Sequence, residues 1–129
     1  MSESQERYLA IQVVMMPRDT NPHGTIFGGI LLSYLDQAGA IGAVRAVVNQ
    51  GGAIPSVVTV AMNRVEFHKP VLVGDVVRFL TTPVKMGRTS VTMHVNVEAL
   101  RAGEVIEVTE AEIVYVNVDL QTRQPNPLF

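Results

Sequence analysis

The sequence predicts an α+β fold in which one antiparallel sheet wraps around one long central helix. Three observations carry this. From Gly28 to about Val48 the chain is rich in Leu, Ala, Ile and Gly, contains no proline, and stops at Asn49-Gln50-Gly51-Gly52, which reads as a helix end. After Pro55 the composition turns β-branched, in stretches 56–67, 75–84, 89–99 and 105–118. One short apolar run, Tyr8 to Met16, precedes the helix and ends at Pro17. With 129 residues, the chain is read as one domain covering residues 1–129.

Each element has its own signal. The first strand is followed by a turn-rich loop, Arg18 to Thr25, containing Asn21-Pro22 and His23-Gly24. Helix is the better reading of the long segment, although Gly39 and Gly42 each cost about 1 kcal/mol of helix propensity relative to alanine. Residues 89–99 alternate, with Val91, Met93, Val95 and Val97 on one face and Thr92, His94, Asn96 and Glu98 on the other. The last stretch changes phase near Thr109–Ala111, which predicts a bulge or a two-sided environment. Lys85-Met86-Gly87-Arg88 and Arg101-Ala102-Gly103-Glu104 read as hairpin turns. A helix apolar on nearly every side needs more cover than one sheet provides, so a partner subunit is expected.

Composition removes several classes of function. There is no cysteine, hence no disulfide scaffold, thiol nucleophile or cysteine-based metal centre. Ten basic and twelve acidic residues give a net charge of −2, and there is no tryptophan, so nucleic acid is not expected as a partner. The N-terminal MSESQERYLA lacks the pattern of a secretory leader. The longest apolar stretch, Ile30 to Val48, holds Ser33, Asp36, Gln37 and Arg45, which argues against a membrane span. The cytoplasm is the expected compartment.

Asp36 is the residue that most needs explaining. It is the only acid between Asp19 and Glu66, and it sits in mid-helix. Its face holds Gly29, Leu32, Ser33, Gly39, Ala40 and Ala43, mostly small, so another group can approach it closely. Arg45 lies half a helical circumference away and cannot pair with it. A carboxylate here needs a partner, a retained proton or water, and a hydrogen bond from another subunit is the structural alternative to a catalytic role. Gly28 and Gly29 open the helix, where bare N–H groups either polarise a ligand carbonyl or simply allow close packing. Gly29 and Asp36 lie about 10.5 Å apart along one helix axis. Two groups acting on one carbonyl carbon must both come within about 3–3.5 Å, so a shared site requires two subunits.

Other candidates are weaker by themselves. His23 sits in a turn with polar neighbours, either solvated or touching substrate. Arg88, with Thr89 and Ser90 after Gly87, is either a phosphate-binding turn or an ordinary hairpin end. Lys69 before Pro70 is equally two-sided. His68 and His94 show no ligand spacing, so no metal is assigned, and His94 reads as structural.

The run His23-Gly24-Thr25-Ile26-Phe27-Gly28-Gly29, with Leu32, Asp36 and Gly39-Ala40 after it, resembles the signature of hot-dog fold acyl-CoA thioesterases, in particular the acyl-CoA hydrolases that include the brain-type enzymes and their short bacterial relatives. The loop 16–21, the block from Val57 through Phe67-His68-Lys69-Pro70 to Gly74-Asp75-Val76-Val77, and Gly87-Arg88-Thr89-Ser90 are similar to further parts of that family, and together they cover about residues 8–118. The resemblance implies a hot-dog fold and a dimeric unit assembled into a tetramer or hexamer. It implies hydrolysis of acyl-CoA to free acid and CoA, without a cofactor. It makes Asp36 the general base or nucleophile and assigns carbonyl polarisation to the backbone at Phe27-Gly28-Gly29. It places Arg88, Thr89 and Ser90 near the CoA nucleotide, with Asn21, His23, Phe27 and Lys69 as further substrate contacts. A second reading is a hot-dog enoyl-CoA hydratase, because Asp19-Thr20-Asn21-Pro22-His23 approaches that group's Asp-x-Asn-Pro-x-His pattern with the histidine one residue early. A third is a non-catalytic acyl-CoA-binding protein.

Overall fold

The computed structural model describes residues 7–129, so part of the N-terminal segment read above lies outside the described residues. The chain runs β1 (Tyr8–Val14), a 3₁₀ turn (Pro17–Asp19), α1 (Gly28–Asn49), β2 (Val57–Phe67), β3 (Val76–Met86), β4 (Ser90–Arg101) and β5 (Glu104–Asn117). The five strands form one antiparallel sheet in the order β1-β3-β4-β5-β2. The α+β arrangement expected from the sequence is the one observed. Consecutive strands β1 and β2 lie at opposite edges, and α1 carries the chain between them while packing against all five strands.

The core sits between α1 and the sheet. Leu31, Leu35, Ala38, Ala43 and Val47 of the helix meet Phe79, Val91, Met93, Val95, Ile113 and Tyr115 of the strands. The alternation read from β4 holds, and all four of its predicted inward residues are buried. The phase change in β5 is a bulge at Val108: Val97 opposes Thr109, the next residue Glu98 opposes Glu107, and Val108 is left over. By length and composition alone α1 would suit a membrane, but Leu31, Leu35, Ala38, Ala43 and Val47 are committed to this core, while Ile41 and Val48 are exposed.

Two strand ends fall later than the sequence suggested. β3 continues through Pro83 to Met86, because β1 pairs only with Val76–Thr81 and Pro83 sits beside a register shift, where its missing N–H is tolerated. β4 continues to Arg101, and the turn is the two residues Ala102 and Gly103. Their φ values of 51° and 80° are the left-handed pair that a tight hairpin requires.

After Asn117 the chain folds back on itself, which no sequence pattern signalled. The Asn117 side chain accepts the Ser56 N–H (2.8 Å) and donates to the carbonyls of Asn126 and Pro127 (3.2 and 3.1 Å). Leu128 is buried, and its N–H donates to the Arg88 carbonyl at 3.0 Å.

One ion pair, its carboxylate buried and its guanidinium partly exposed, ties the 70–75 loop to the end of β4. Arg101 donates through Nε to Asp75 Oδ1 (3.0 Å) and through Nη2 to Oδ2 (2.7 Å), and Nη2 also reaches the Pro70 carbonyl. The Leu72 N–H completes the carboxylate shell at 2.9 Å. The guanidinium holds the Asp75 carboxyl below its usual value of 3.8. A lowered folded-state pKa means that this contribution is whole above about pH 4 and is lost as pH falls through the folded value. Arg101→Met leaves Asp75 buried without its cation and should destabilise the protein by about 3–5 kcal/mol at pH 7. Thermal unfolding as a function of pH checks this: the gap between wild type and variant should close below about pH 4.

Candidate active site

The approach of helix to sheet is set by two positions without side chains. A Cβ on Gly39 would collide with the Tyr115 hydroxyl and lie 3.0 Å from Cζ. A Cβ on Gly42 would collide with the Thr81 hydroxyl and lie 2.7 Å from Thr81 Cβ. The glycines that looked unfavourable for a helix are the notches that let it seat.

Asp36 lies one turn before Gly39 and faces β2, one of the sheet's two edge strands. Its Oδ1 accepts the Thr59 hydroxyl at 2.7 Å and the Tyr115 hydroxyl at 3.2 Å, and Tyr115 also reaches the Asp36 carbonyl at 2.8 Å. The partner that the sequence left open, with another subunit as one candidate, is supplied by the same chain. Burial and the adjacent carboxylate push the Tyr115 phenol far above its ordinary pKa, so it remains a donor at any physiological pH. Asp36 Oδ2 accepts no hydrogen bond among the described residues. Arg45 is elsewhere, its guanidinium 4.2 Å from the Tyr8 ring centroid.

The remaining candidates fall into three places. Around the helix start, Gly28, Lys69, Ile26, Leu31, Phe67 and Pro70 help line one open cleft, with the Phe67 ring about 3.6 Å from where a Gly28 Cβ would stand. Phe27 and Gly29 are exposed beside it. The N–H groups of Gly28 and Gly29 take no partner among the described residues. That is the expected state of the first donors of a helix whose N-terminal residue, Phe27, offers no side-chain cap.

In the preceding loop, Asn21 is fully engaged locally. Its Nδ2 donates to Thr25 Oγ1, and its Oδ1 accepts the N–H groups of His23 and Thr25. It shapes the loop, while His23 is exposed. Asp19, needed by the hydratase-like pattern, accepts the Met16 N–H at 3.0 Å. The third place is the β3–β4 turn, where Arg88 is exposed and Thr89 and Ser90 lock the backbone through Asn117 and Gly87.

Sequence reasoning missed Thr59 and Tyr115, which lie 23 and 79 residues from Asp36. It also missed a polar cluster on the outer face of the sheet. His68 Nε2 lies 3.0 Å from Glu110 Oε2 and His94 Nε2 lies 3.3 Å from Glu110 Oε1. The two histidines read as scattered are joined by one carboxylate.

Residues 23–106 match the thioesterase superfamily. The acyl-CoA thioester hydrolase YciA of Salmonella typhimurium is 36% identical over 133 aligned positions, covering 99% of this chain and 95% of that protein. Among solved structures, the hexameric thioesterase y2039 of Yersinia pestis is similar at 37% identity and a TM-score of 0.85, covering 95% of each chain. Cj0915, a hexameric hotdog fold thioesterase of Campylobacter jejuni, is 39% identical with a TM-score of 0.82, covering 92% of this chain and 88% of that one.

The notch under Tyr115 gives a direct test. Gly→Ala in a helix interior ordinarily adds about 1 kcal/mol of stability. Gly39→Ala should instead destabilise, because overpacking costs about 1–3 kcal/mol and displaces the phenol that holds Asp36. Melting temperature and tyrosine fluorescence should both change, whereas Gln37→Ala, on the exposed side of the same helix, should leave them as they are.

Proposed function

The chain belongs to the thioesterase superfamily and is a hot-dog fold acyl-CoA thioester hydrolase, and we propose that it works through Asp36 in a site completed by a second copy of itself. The observation that carries this is the asymmetry of the Asp36 carboxylate. Two hydroxyls hold Oδ1, so the ring of contacts fixes the group while Oδ2 stays available. A carboxylate oriented in this way takes a proton from water, or attacks the thioester carbonyl carbon itself. In either route the C–S bond breaks, CoA leaves as the thiol, and water supplies the second oxygen of the acid.

The carbonyl oxygen needs donors, and the free N–H groups of Gly28 and Gly29 supply them at the positive end of the helix dipole. Within one chain they stand too far from Asp36 to serve the same carbonyl, about 10.5 Å along the axis. Two antiparallel copies bring one helix start beside the other helix's Asp36. The protein is a homo-oligomer, with the hexamers of the Yersinia and Campylobacter proteins as precedent. The β2 edge suits such a contact: β5 pairs with it on one side, no strand among the described residues covers the other, and Val58 and Val60 are exposed along it.

In this reading the cleft of Phe67, Leu31 and Lys69 takes part of the acyl-CoA, and Phe27 flanks it. Arg88, with Thr89 and Ser90, receives nucleotide phosphate. His23 is a substrate contact at the loop tip, and Asn21 acts indirectly by holding that loop. The unit is residues 1–129 as one domain. We assign the reaction to the cytoplasm, the default for a chain whose one long apolar helix forms its own core.

Thiol release from a panel of acyl-CoAs, followed with a chromogenic disulfide, tests the activity. Asp36→Asn should lower kcat by about 10²–10⁴ with assembly and melting temperature preserved. Near-normal turnover in that variant would refute the role. Asp19→Asn is the control and should stay active.

Tyr115→Phe should reduce kcat by about tenfold, the equivalent of one hydrogen bond of ~1.4 kcal/mol, while KM is unchanged. Arg88→Ala should raise KM for acyl-CoA by about tenfold or more, since a charge-assisted bond is worth about 1.5–3 kcal/mol. It should do little with a pantetheine thioester that lacks the nucleotide. Equal losses on both substrates would assign Arg88 to the fold.

A further inference from the structure

The outer face of the sheet, opposite the helix, carries a cluster remote from Asp36, and one member, His68, also lines the cleft at the start of α1. β4 turns Val95 and Met93 inward, so His94 points outward; β5 turns Thr109 and Ala111 inward, so Glu110 points outward beside it. β2 brings Glu66 directly opposite Glu110, and the chain then exits the strand at His68. One donor atom from each of Glu66, His68 and Glu110 lies within 4.8 Å of the other two. His94 approaches the remaining oxygen of Glu110 at 3.3 Å.

Two features distinguish this group from a solvated patch of acids. Two imidazoles converge on the two oxygens of a single carboxylate, which is thereby held between them. The hollow beside His94 and Glu110 is also lined by Arg64, Glu66 and Glu112, so three carboxylates face one guanidinium. Placing Glu66 and Glu110 as direct cross-strand neighbours is unfavourable for like charges, and a cation relieves it. At metal–ligand bonds of about 2.0–2.1 Å, tetrahedral ligands stand roughly 3.3 Å apart. The His68–Glu110 separation of 3.0 Å is of that size.

We propose that Glu66, His68 and Glu110 form a site for a divalent transition-metal ion, with His94 orienting Glu110 from its other side. The mixed imidazole and carboxylate donors select zinc over the hard cations magnesium and calcium. Such an ion clasps β5 to the segment leaving β2, the segment whose next residues, Lys69 and Pro70, line the cleft at the start of α1. The site is therefore a brace beside the acyl-CoA cleft, and its occupancy is independent of Asp36.

The test is a zinc titration of the full-length, untagged protein by calorimetry, with thermal unfolding on the same samples. One zinc per chain and a raised melting temperature are expected, with no response to magnesium at the same concentration. His68→Ala and Glu66→Gln, both exposed positions that the fold does not need, should each abolish that binding. His94→Ala should weaken it by about 10–100-fold, as expected for a residue that orients a ligand. The proposal is overturned if the wild-type protein binds no zinc, if binding survives in both His68→Ala and Glu66→Gln, or if His23→Ala, the remaining histidine, removes it equally. None of these readouts uses catalysis, so a failed thioesterase assay and a failed zinc titration are separate results.

Discussion

The helix seats against the sheet at Gly39 and Gly42, and the position of every functional group on α1 depends on that approach. The Tyr115 and Thr81 hydroxyls occupy the space where side chains would stand. Interiors are packed to crystal-like density, so an added methyl group cannot be absorbed there without moving the helix. Asp36, three residues before Gly39, is carried to the sheet by the same contact. Depth of packing and placement of the carboxylate are thus one constraint.

That constraint explains why one oxygen of Asp36 is held and the other is not. Thr59 belongs to the edge strand and Tyr115 to its neighbour, and both reach Oδ1 from the sheet side. A carboxylate fixed on one oxygen loses little orientational freedom when it reacts through the other, which is the preorganisation that catalysis by charge and position requires. The helix start is built on the opposite principle. Its donors are left bare by glycine and by an exposed phenylalanine that offers no cap. In the proposed mechanism, one chain thus holds two complementary half-sites at different heights on one rod.

Much of this was legible from local pattern. The helix, all five strands and the β5 phase change follow from periodicity, and the two glycine-containing turns follow from turn chemistry. The strand ends were misjudged where Pro83 sits beside a register shift and where Ala102 adopts a left-handed conformation, since neither is a local preference of those residues. Asp36 stood out as a lone acid on a small-residue face. Its partners did not, because Thr59 and Tyr115 meet it through the order of strands in the sheet. The same is true of His68, His94 and Glu110, which lie just past the end of β2, on β4 and on β5 and have no motif spacing. The returning tail was invisible because Asn117 and Leu128 act through backbone carbonyls and one buried side chain. Gly39 and Gly42 were read as local costs, and their benefit lies in residues far along the chain.

The strand order has a consequence for how the polypeptide acquires this shape. β1 is made first and its neighbour is β3; β2 follows the helix, and among the described strands its neighbour is β5 alone. The first neighbouring strands to emerge in succession are β3 and β4, and β2 stays unpartnered until residues up to Asn117 are available. During synthesis the apolar helix waits for β3 and β4, and the β-branched strand β2 waits longer, until β5 (Glu104–Asn117) has been made. Long-range pairing of this kind slows folding and leaves intermediates open to aggregation. Nascent copies on neighbouring ribosomes therefore expose the same apolar surfaces at the same stage, and a chaperone that shields α1 until β5 is released would have the most to protect.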